Sequence, residues 1–453
     1  MNSFPDLEVL TDAESLAHYG RDWTRFWPPA PDRVVFPRST EDVVALVRWA
    51  NAKDRKLVPS GGRTGLSGGA VAAVGEVVVS LEKMRGLVEL EPAEPSITVQ
   101  AGMPVGEVQR HALEAGLYYP VDWAAAGSSQ VGGSIATNAG GIRVLRYGMT
   151  RNWVRGLVVV DGRGQVLRLN RGLIKNNAGP DLCQLMVGSE GVLGIIAEAT
   201  LGLTRPPPNQ SVLLLSFSAL GSLMPALEAL REVLSLSAFE FFDRQSMLQV
   251  AEYTGLEFPL EEAAGFHAVV EFDDPGNQCQ DQALEVFEAL VEAGHVMDGV
   301  LSQSDAQAAE LWRWREAISE SIASRTPYKN DLSVRVSRVP AFLEALEGLV
   351  GQHYPDFEVA WFGHIGDGNL HMNILRPQAM EIADFRDACD GLSPRVFELV
   401  RKYDGSISAE HGVGLLKRDY LAYSRDAAEI EVLRGLKSLF DPSGVLNPGK
   451  LLA

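Results

Sequence analysis

The alternation of apolar and polar positions predicts a first strand at Val34 to Pro37. Ser39-Thr40-Glu41-Asp42 then reads as an N-cap with acids in the first turn, leading into an amphipathic helix through Val43-Val44-Ala45-Leu46-Val47-Arg48-Trp49. Leu57-Val58-Pro59 begins another strand. From there to about Thr204, short β runs (Val77 to Leu81, Ile97 to Gln100, Val154 to Asp161, Gln165 to Leu169, Gly194 to Leu203) are separated by glycine-rich loops. Pro206-Pro207-Pro208 can extend neither helix nor strand, so the pattern puts a domain boundary there, with residues 1–206 before it and 207–453 after it. Beyond the prolines, Ser211 to Phe217, Ala268 to Phe272 and Ser333 to Val336 have strand character. Leu220 to Leu236, Gln280 to Ala293 and Ala306 to Ala323 have helical apolar spacing, which suggests an antiparallel sheet covered on one face. The expected class is α+β in two domains, and no repeat or low-complexity tract competes with it.

Composition changes this picture only by exclusion. A chain of 453 residues is too long for one compact core, which agrees with two domains. Its formal net charge of -19 repels polyanions, so neither nucleic acid nor anionic lipid is an expected partner. Three cysteines far apart (Cys183, Cys279, Cys389) offer neither a disulfide framework nor a thiolate zinc site, and a reducing cytoplasm is expected. Met1 to Thr11 carry acids rather than a basic leader, and no run of 18 apolar residues occurs, so secretion and membrane spanning are not expected.

Three stretches carry candidate binding chemistry. Pro59-Ser60-Gly61-Gly62-Arg63-Thr64-Gly65-Leu66-Ser67-Gly68-Gly69 follows a strand and lets backbone N–H groups turn around an anion, although it matches neither the Walker nor the Rossmann frame. Alone it could be a tight turn. A second stretch, Gly127 to Gly141 followed by Arg146-Tyr147-Gly148, and a third, Val187 to Ile196, add two more loops rich in Gly and Ser. Together they suit a large ligand with a diphosphate and a polar ring edge.

A different chemistry appears later. Asp367-Gly368 between Trp361-Phe362-Gly363-His364-Ile365-Gly366 and Asn369-Leu370-His371-Met372-Asn373 reads as a two-residue hairpin turn. In that register His364 and His371 are directly opposite, with Cβ atoms about 5 Å apart, and Asn373 shares the face of His371. Such a pair can chelate zinc, iron, copper or nickel, or can simply pack. Ile407-Ser408-Ala409-Glu410-His411-Gly412 reads as a strand ending in a charged pair before a glycine turn and a helix. The pair can supply a ligand and a base, or be a plain surface pair. On the helix over Leu311 to Ser319, Arg315 and Ser319 are four residues apart and are expected on one face, where a guanidinium and a hydroxyl can grip a carboxylate.

The three glycine-rich stretches, with the closing Leu439-Phe440-Asp441-Pro442-Ser443-Gly444-Val445-Leu446-Asn447-Pro448-Gly449-Lys450, resemble the vanillyl-alcohol-oxidase-type FAD enzymes. The match is closest in the branch of D-lactate, glycolate and D-2-hydroxyglutarate dehydrogenases, and within it to the last group. It covers about Val34 to Leu451. The resemblance implies a two-domain FAD-binding fold of PCMH type with a C-terminal substrate domain of antiparallel sheet plus helices, whose final segment, from about residue 404, returns to the flavin. It also implies that Ser60, Gly61, Gly62, Arg63, Thr64, Gly65 and Gly69 hold the pyrophosphate. Gly127, Ser128, Gly133, Thr137, Asn138, Gly141, Ile196 and Asn447 would line the rest of the cofactor. Relatives with covalent flavin carry a His in the first loop, which here has Arg63, so non-covalent FAD is expected.

By the same resemblance His364, His371 and Glu410 bind a divalent metal, with zinc expected, and His411 takes the substrate hydroxyl proton. Arg315, Ser319 and Lys329 would hold a carboxylate, with Asn373 facing the same site. The implied reaction oxidises a D-2-hydroxy acid to the 2-oxo acid. D-2-hydroxyglutarate or D-malate is favoured, and a D-lactate dehydrogenase or glycolate oxidase subunit is the alternative. Electrons would leave to an external acceptor such as a quinone, an electron-transfer flavoprotein or a cytochrome, and a homodimer is compatible with this reading. A non-catalytic flavin-binding accessory subunit is the alternative of another class, and the retention of His364, His371, Glu410 and His411 weighs against it. An unrelated zinc hydrolase leaves the glycine loops unexplained.

Overall fold

The computed structural model describes residues 3–24, 26–260 and 264–452; Met1 and Asn2 of the acidic leading stretch lie outside it. The chain forms two compact units. The first comprises residues up to Gly141, Gly148–Pro206 and the chain from Glu410 onward; the second comprises Ile142–Tyr147 and Pro207–Ala409.

The first unit holds two sheets. A four-stranded sheet runs in the order Glu8–Leu10, Arg33–Phe36, Val77–Ser80, Leu57–Ser60, with the last three strands parallel. Val34, Val35, Val77, Val78 and Val79 are all fully buried, as continuous apolar runs must be when both faces of parallel strands are covered. The helix Thr40–Lys53 starts where the Ser39 hydroxyl accepts the Asp42 N–H at 3.1 Å and ends at left-handed Asp54. Its Val43, Leu46, Val47 and Ala50 recur at helical spacing and enter the core, each large aliphatic among them contributing about 1.5–3 kcal/mol of burial. The same core includes Ile97, Val99, Val159 and Ala199 from a five-stranded antiparallel sheet ordered Leu87–Glu91, Ser96–Gln100, Ile195–Gly202, Val154–Val160, Val166–Leu169. At the chain's end, Leu57 donates to Val445 and Asn447 donates to Leu57, both at 2.7 Å, so the closing segment runs beside Leu57–Ser60.

The second unit is built on a seven-stranded antiparallel sheet in the order Asp298–Leu301, Gln210–Phe217, Phe266–Asp273, Leu236–Asp243, Val359–Gly363, Asn369–Ile374, Tyr328–Ser333. Phe242, Ala360 and Phe362 on one face join Trp312 and Trp314 of the helix Asp305–Glu316 in a buried cluster. The short stretch Ile142–Tyr147 belongs here. Arg143 grips both carboxylate oxygens of Glu271, at 2.8 and 3.0 Å, and Arg146 pairs with Asp273.

Several expected elements differ. The strand expected at Ser333 to Val336 instead covers Tyr328–Ser333, and Val336–Arg338 is a 3-10 turn; buried Asn330 and Asp331, poor strand formers, hid it. The helix expected over Ala306 to Ala323 stops at Glu316 and resumes only as Ile318–Ser321. Glu410 and His411 do not end a strand, since the only pairing nearby among the described residues is an isolated bridge of Ser406 with Ser333. The helix expected after them is the 3-10 segment Arg418–Tyr423. The second glycine-rich stretch is not all loop: Val131–Thr137 is a short helix ended by left-handed Asn138.

Candidate active site

In the first unit the three glycine-rich stretches converge through backbone. Gly62 approaches the second stretch so closely that a Cβ there would lie 2.0 Å from the Ser128 carbonyl oxygen. The hydroxyls of Thr64 and Ser129 are 2.9 Å apart, and Trp23 N–H holds the Gly65 carbonyl at 3.0 Å. Beneath the loop, the buried Asp22 carboxylate accepts from the Thr24 N–H at 2.9 Å and from the Thr24 hydroxyl at 2.5 Å, while burial raises its pKa. Sequence patterning offered no cue to Asp22, an acid well before that loop. Arg63 turns to Tyr19, with its guanidinium carbon 4.5 Å from the ring centroid, and partial burial lowers its pKa.

In the second stretch the Thr137 hydroxyl donates back to Gly133 at 3.0 Å, and Asn138 Oδ1 receives the Arg151 N–H at 3.0 Å. Gly127 and Ser128 are exposed. Gly133 has nothing within 4 Å of a modest side chain's first carbon, and neither does Gly127. Gly141 donates its N–H to Glu410 at 3.2 Å, and His411 Nε2 lies 3.7 Å from the other oxygen of that carboxylate. Ile196 is buried in Ile195–Gly202. Asn447 Nδ2 donates to Gly69 at 2.9 Å and to the Glu190 carbonyl at 2.7 Å. Its Oδ1, Ser60 Oγ and Gln130 Oε1 are buried with no hydrogen-bond partner among the described residues. Three orphaned polar atoms on flavin-candidate segments fit a polar ligand better than a packed interior, where such atoms are paired.

The second unit carries a cluster of charged side chains. The hairpin closes through a 3-10 turn, Ile365–Asp367, with Gly368 left-handed at φ +87°, rather than through a two-residue turn. The register is therefore shifted: Phe362, not His364, faces His371. The two imidazoles still meet edge to face, with ring centroids 5.3 Å apart. Strand pairing sets Asp331 opposite His371 and Lys329 opposite Asn373, so all four share one face. Across the sheet, Phe242 opposite Phe362 brings Glu240 to the same face.

Glu240 is 1% exposed and joins two of the predicted residues: its Oε1 is 2.7 Å from His364 Nδ1 and its Oε2 is 2.9 Å from the Arg315 guanidinium. On the other imidazole, His371 Nδ1 lies 3.7 Å from Asp331, whose carboxylate also receives Asn369 Nδ2 at 2.9 Å and Ala409 N–H at 3.0 Å. The Glu240 carboxylate at 2.7 Å occupies Nδ1 of His364 and leaves its Nε2 as the candidate ligating atom, whereas Asp331 at 3.7 Å is beyond hydrogen-bond reach of His371 Nδ1. Ala409 is followed directly by Glu410 in the chain. Glu240 and Asp331 were missed because single buried acids in strands leave no motif; only the register reveals them.

Arg315 is buried with its guanidinium carbon 4.8 Å over the Phe362 ring, and its Nε has no hydrogen-bond partner among the described residues. Ser319 is exposed while Arg315 is buried, and the helix that was expected to carry both is interrupted at Ala317. Asn373 is 2% exposed with Nδ2 also lacking a partner among the described residues. No helix among the described residues is long and apolar enough to cross a membrane.

Against known proteins, residues 31–170 match the family described as FAD binding domain and residues 206–451 match FAD linked oxidases, C-terminal domain. The chain is 54% identical to D-2-hydroxyglutarate dehydrogenase of Stutzerimonas stutzeri, covering 98% of this chain and 96% of the relative. It is 34% identical to the mitochondrial D-2-hydroxyglutarate dehydrogenase of Bos taurus over 98% of this chain and 81% of the relative. Its fold is that of p-cresol methylhydroxylase, with a TM-score of 0.74 at 16% identity, covering 98% of this chain and 93% of the other. It is also similar to alkyldihydroxyacetonephosphate synthase, with a TM-score of 0.72 at 18% identity, covering 98% and 82%.

Proposed function

This chain belongs to the FAD-linked oxidases, among the D-2-hydroxyglutarate dehydrogenases, and from that premise we propose that it oxidises D-2-hydroxyglutarate or a close D-2-hydroxy diacid to the 2-oxo acid. The observation that carries the substrate assignment is the 54% identity to a D-2-hydroxyglutarate dehydrogenase along nearly the whole of both chains. Arg315 and Lys329 supply two cations on the substrate side, enough to hold a carboxylate distant from the reacting carbon. Ser319, exposed four residues after Arg315, is the third candidate for holding that carboxylate.

His364 and His371 would hold a divalent metal, with Glu410 as the third ligand, and the donor set suits zinc. When bound, the metal would supply polarisation of the substrate hydroxyl and FAD would supply the hydride acceptor. His411 takes the hydroxyl proton, and Asn373 orients the substrate from the face it shares with His371. Ser60 to Gly65, Gly69, Gly127, Ser128, Gly133, Thr137, Asn138, Gly141, Ile196 and Asn447 hold FAD, non-covalently because the first loop has no His. An external acceptor reoxidises the flavin.

The test is anaerobic bleaching of the flavin absorbance near 450 nm by D- and L-2-hydroxyglutarate, D-malate, D-lactate and glycolate (the wavelength being about that of any oxidised flavin). Fast bleaching by D-2-hydroxyglutarate, lost with chelator and restored by zinc, supports the proposal. Fast bleaching by D-lactate alone would move the substrate to a monocarboxylate, and a flavin that none of these acids bleaches would sink the dehydrogenase reading.

A further inference from the structure

We propose that Glu190 is a positioning residue that fixes the loop bearing Glu410 and His411 on the flavin-cradling backbone. All the groups concerned lie in the first unit. That loop has anchors in each of the three glycine-rich stretches. From the second, Gly141 N–H reaches the Glu410 carboxylate at 3.2 Å. From the first, the Ser67 carbonyl accepts the N–H groups of Leu415 at 2.9 Å and Leu416 at 3.0 Å. From the third comes Glu190, whose Oε1 takes the Val413 N–H at 2.6 Å and whose Oε2 takes the Gly414 N–H at 2.7 Å.

Glu190 is the anchor made by a side chain, and it is built at a cost. Its carboxylate is buried, which raises its pKa, and its backbone is left-handed at φ +50°. Two charge-assisted bonds to backbone N–H groups are what such a carboxylate needs to remain inside. Its own main chain is held in turn, the N–H donating to Ala136 at 2.8 Å and the carbonyl accepting from Asn447 at 2.7 Å. The loop is fitted to it: a Cβ on left-handed Gly412 would lie 3.0 Å from Glu190 Oε1. Thus one side chain ties the residues following His411 to Ala136 in the second stretch and to the C-terminal Asn447. A base displaced by about 1 Å loses on the order of a hundredfold in rate, so a holder of this kind acts on turnover without touching substrate.

The inference rests on reading His411 as the base, and its test has an arm that does not. In Glu190→Gln the amide oxygen can accept one of the two N–H groups while its NH2 repels the other. The purified variant is expected to keep its FAD and its melting temperature. Its flavin bleaching by D-2-hydroxyglutarate should slow by on the order of tenfold to a hundredfold with KM unchanged within about twofold, as loss of geometry at the reacting centre predicts. Hydrogen exchange over residues 411–416 should rise while Ile195–Gly202 stays protected. Unchanged bleaching, or FAD and rate lost together, would make Glu190 a plain structural residue and overturn the proposal. Should the variant not fold, wild-type exchange decides: slow amides at Val413 and Gly414 uphold the anchor, and exchange as fast as an exposed loop removes it. If no acid bleaches the wild-type flavin, the base assignment fails, while the exchange comparison still reports on the anchor.

Discussion

Where the first unit gathers its candidate cofactor residues it offers mostly backbone and small hydroxyls: Gly62 against Ser128, Thr64 beside Ser129, Gly65 held by Trp23. The face of the seven-stranded sheet offers instead ionisable side chains shut away from water: Glu240, Arg315, His364, His371 and Asp331 are each 7% exposed or less. The difference fits the tasks proposed for them. A large dinucleotide is held by many close, weakly charged approaches, for which absent side chains are an asset. Polarising one hydroxyl needs a few strong charges in a low dielectric, and each of those must be paired to be kept there. Glu190, like Asp22, departs from the first unit's rule: it is a buried carboxylate that accepts backbone N–H groups.

The contrast can be broken at the chemistry first. His411→Ala is expected to slow flavin bleaching by on the order of a thousandfold while FAD content is unchanged, the loss expected of a general base. If the rate persists, His411 is no base. His371→Ala should lower bound metal to near zero and bleaching by at least about a hundredfold, with elemental analysis separating metal loss from misfolding. Glu240→Gln sharpens the comparison: without the carboxylate on its Nδ1, His364 loses tautomer and orientation. Metal affinity in a chelator competition should drop by about 10–100-fold, with the flavin spectrum unaltered.

Gly62→Ala strikes the other side. Its methyl would meet the Ser128 carbonyl, so the variant should lose about 1–3 kcal/mol of stability and retain less FAD after gel filtration, with metal content untouched. The smallest effect concerns buried charge away from the chemistry. Asp243 caps the helix Arg244–Thr254, and burial raises its pKa from 3.8 to about 7. The folded chain thus binds the proton more tightly than the unfolded one. That stabilisation is whole below pH 3.8 and drains away as pH rises to 7, at up to about 1.4 kcal/mol per pH unit. Thermal melts of the wild type and Asp243→Asn at pH 5 and pH 8 should show the variant gaining relative stability at the higher pH; equal shifts would refute this.

What composition and spacing determined by themselves is what depends on local chemistry. Apolar runs marked the strands Arg33–Phe36, Val77–Ser80 and Gln210–Phe217, a serine N-cap marked the helix Thr40–Lys53, and the glycine-rich stretches marked a site for a large diphosphate-bearing ligand, which the family resemblance made FAD. These signals lie within a few residues of one another, so sequence distance and physical distance are nearly the same. Tertiary structure alone decided which residues act together. The 3-10 turn at Ile365–Asp367 shifted the register and set Phe362 rather than His364 opposite His371. The break after Glu316 turned Ser319 outward while Arg315 stayed buried. Glu240 reached His364 from 124 positions away, and Glu190 reached Val413 from 223. A lone acid in an apolar strand has no local reason to be there; its reason is the partner that folding delivers, since a buried charge persists only where a distant group pairs with it.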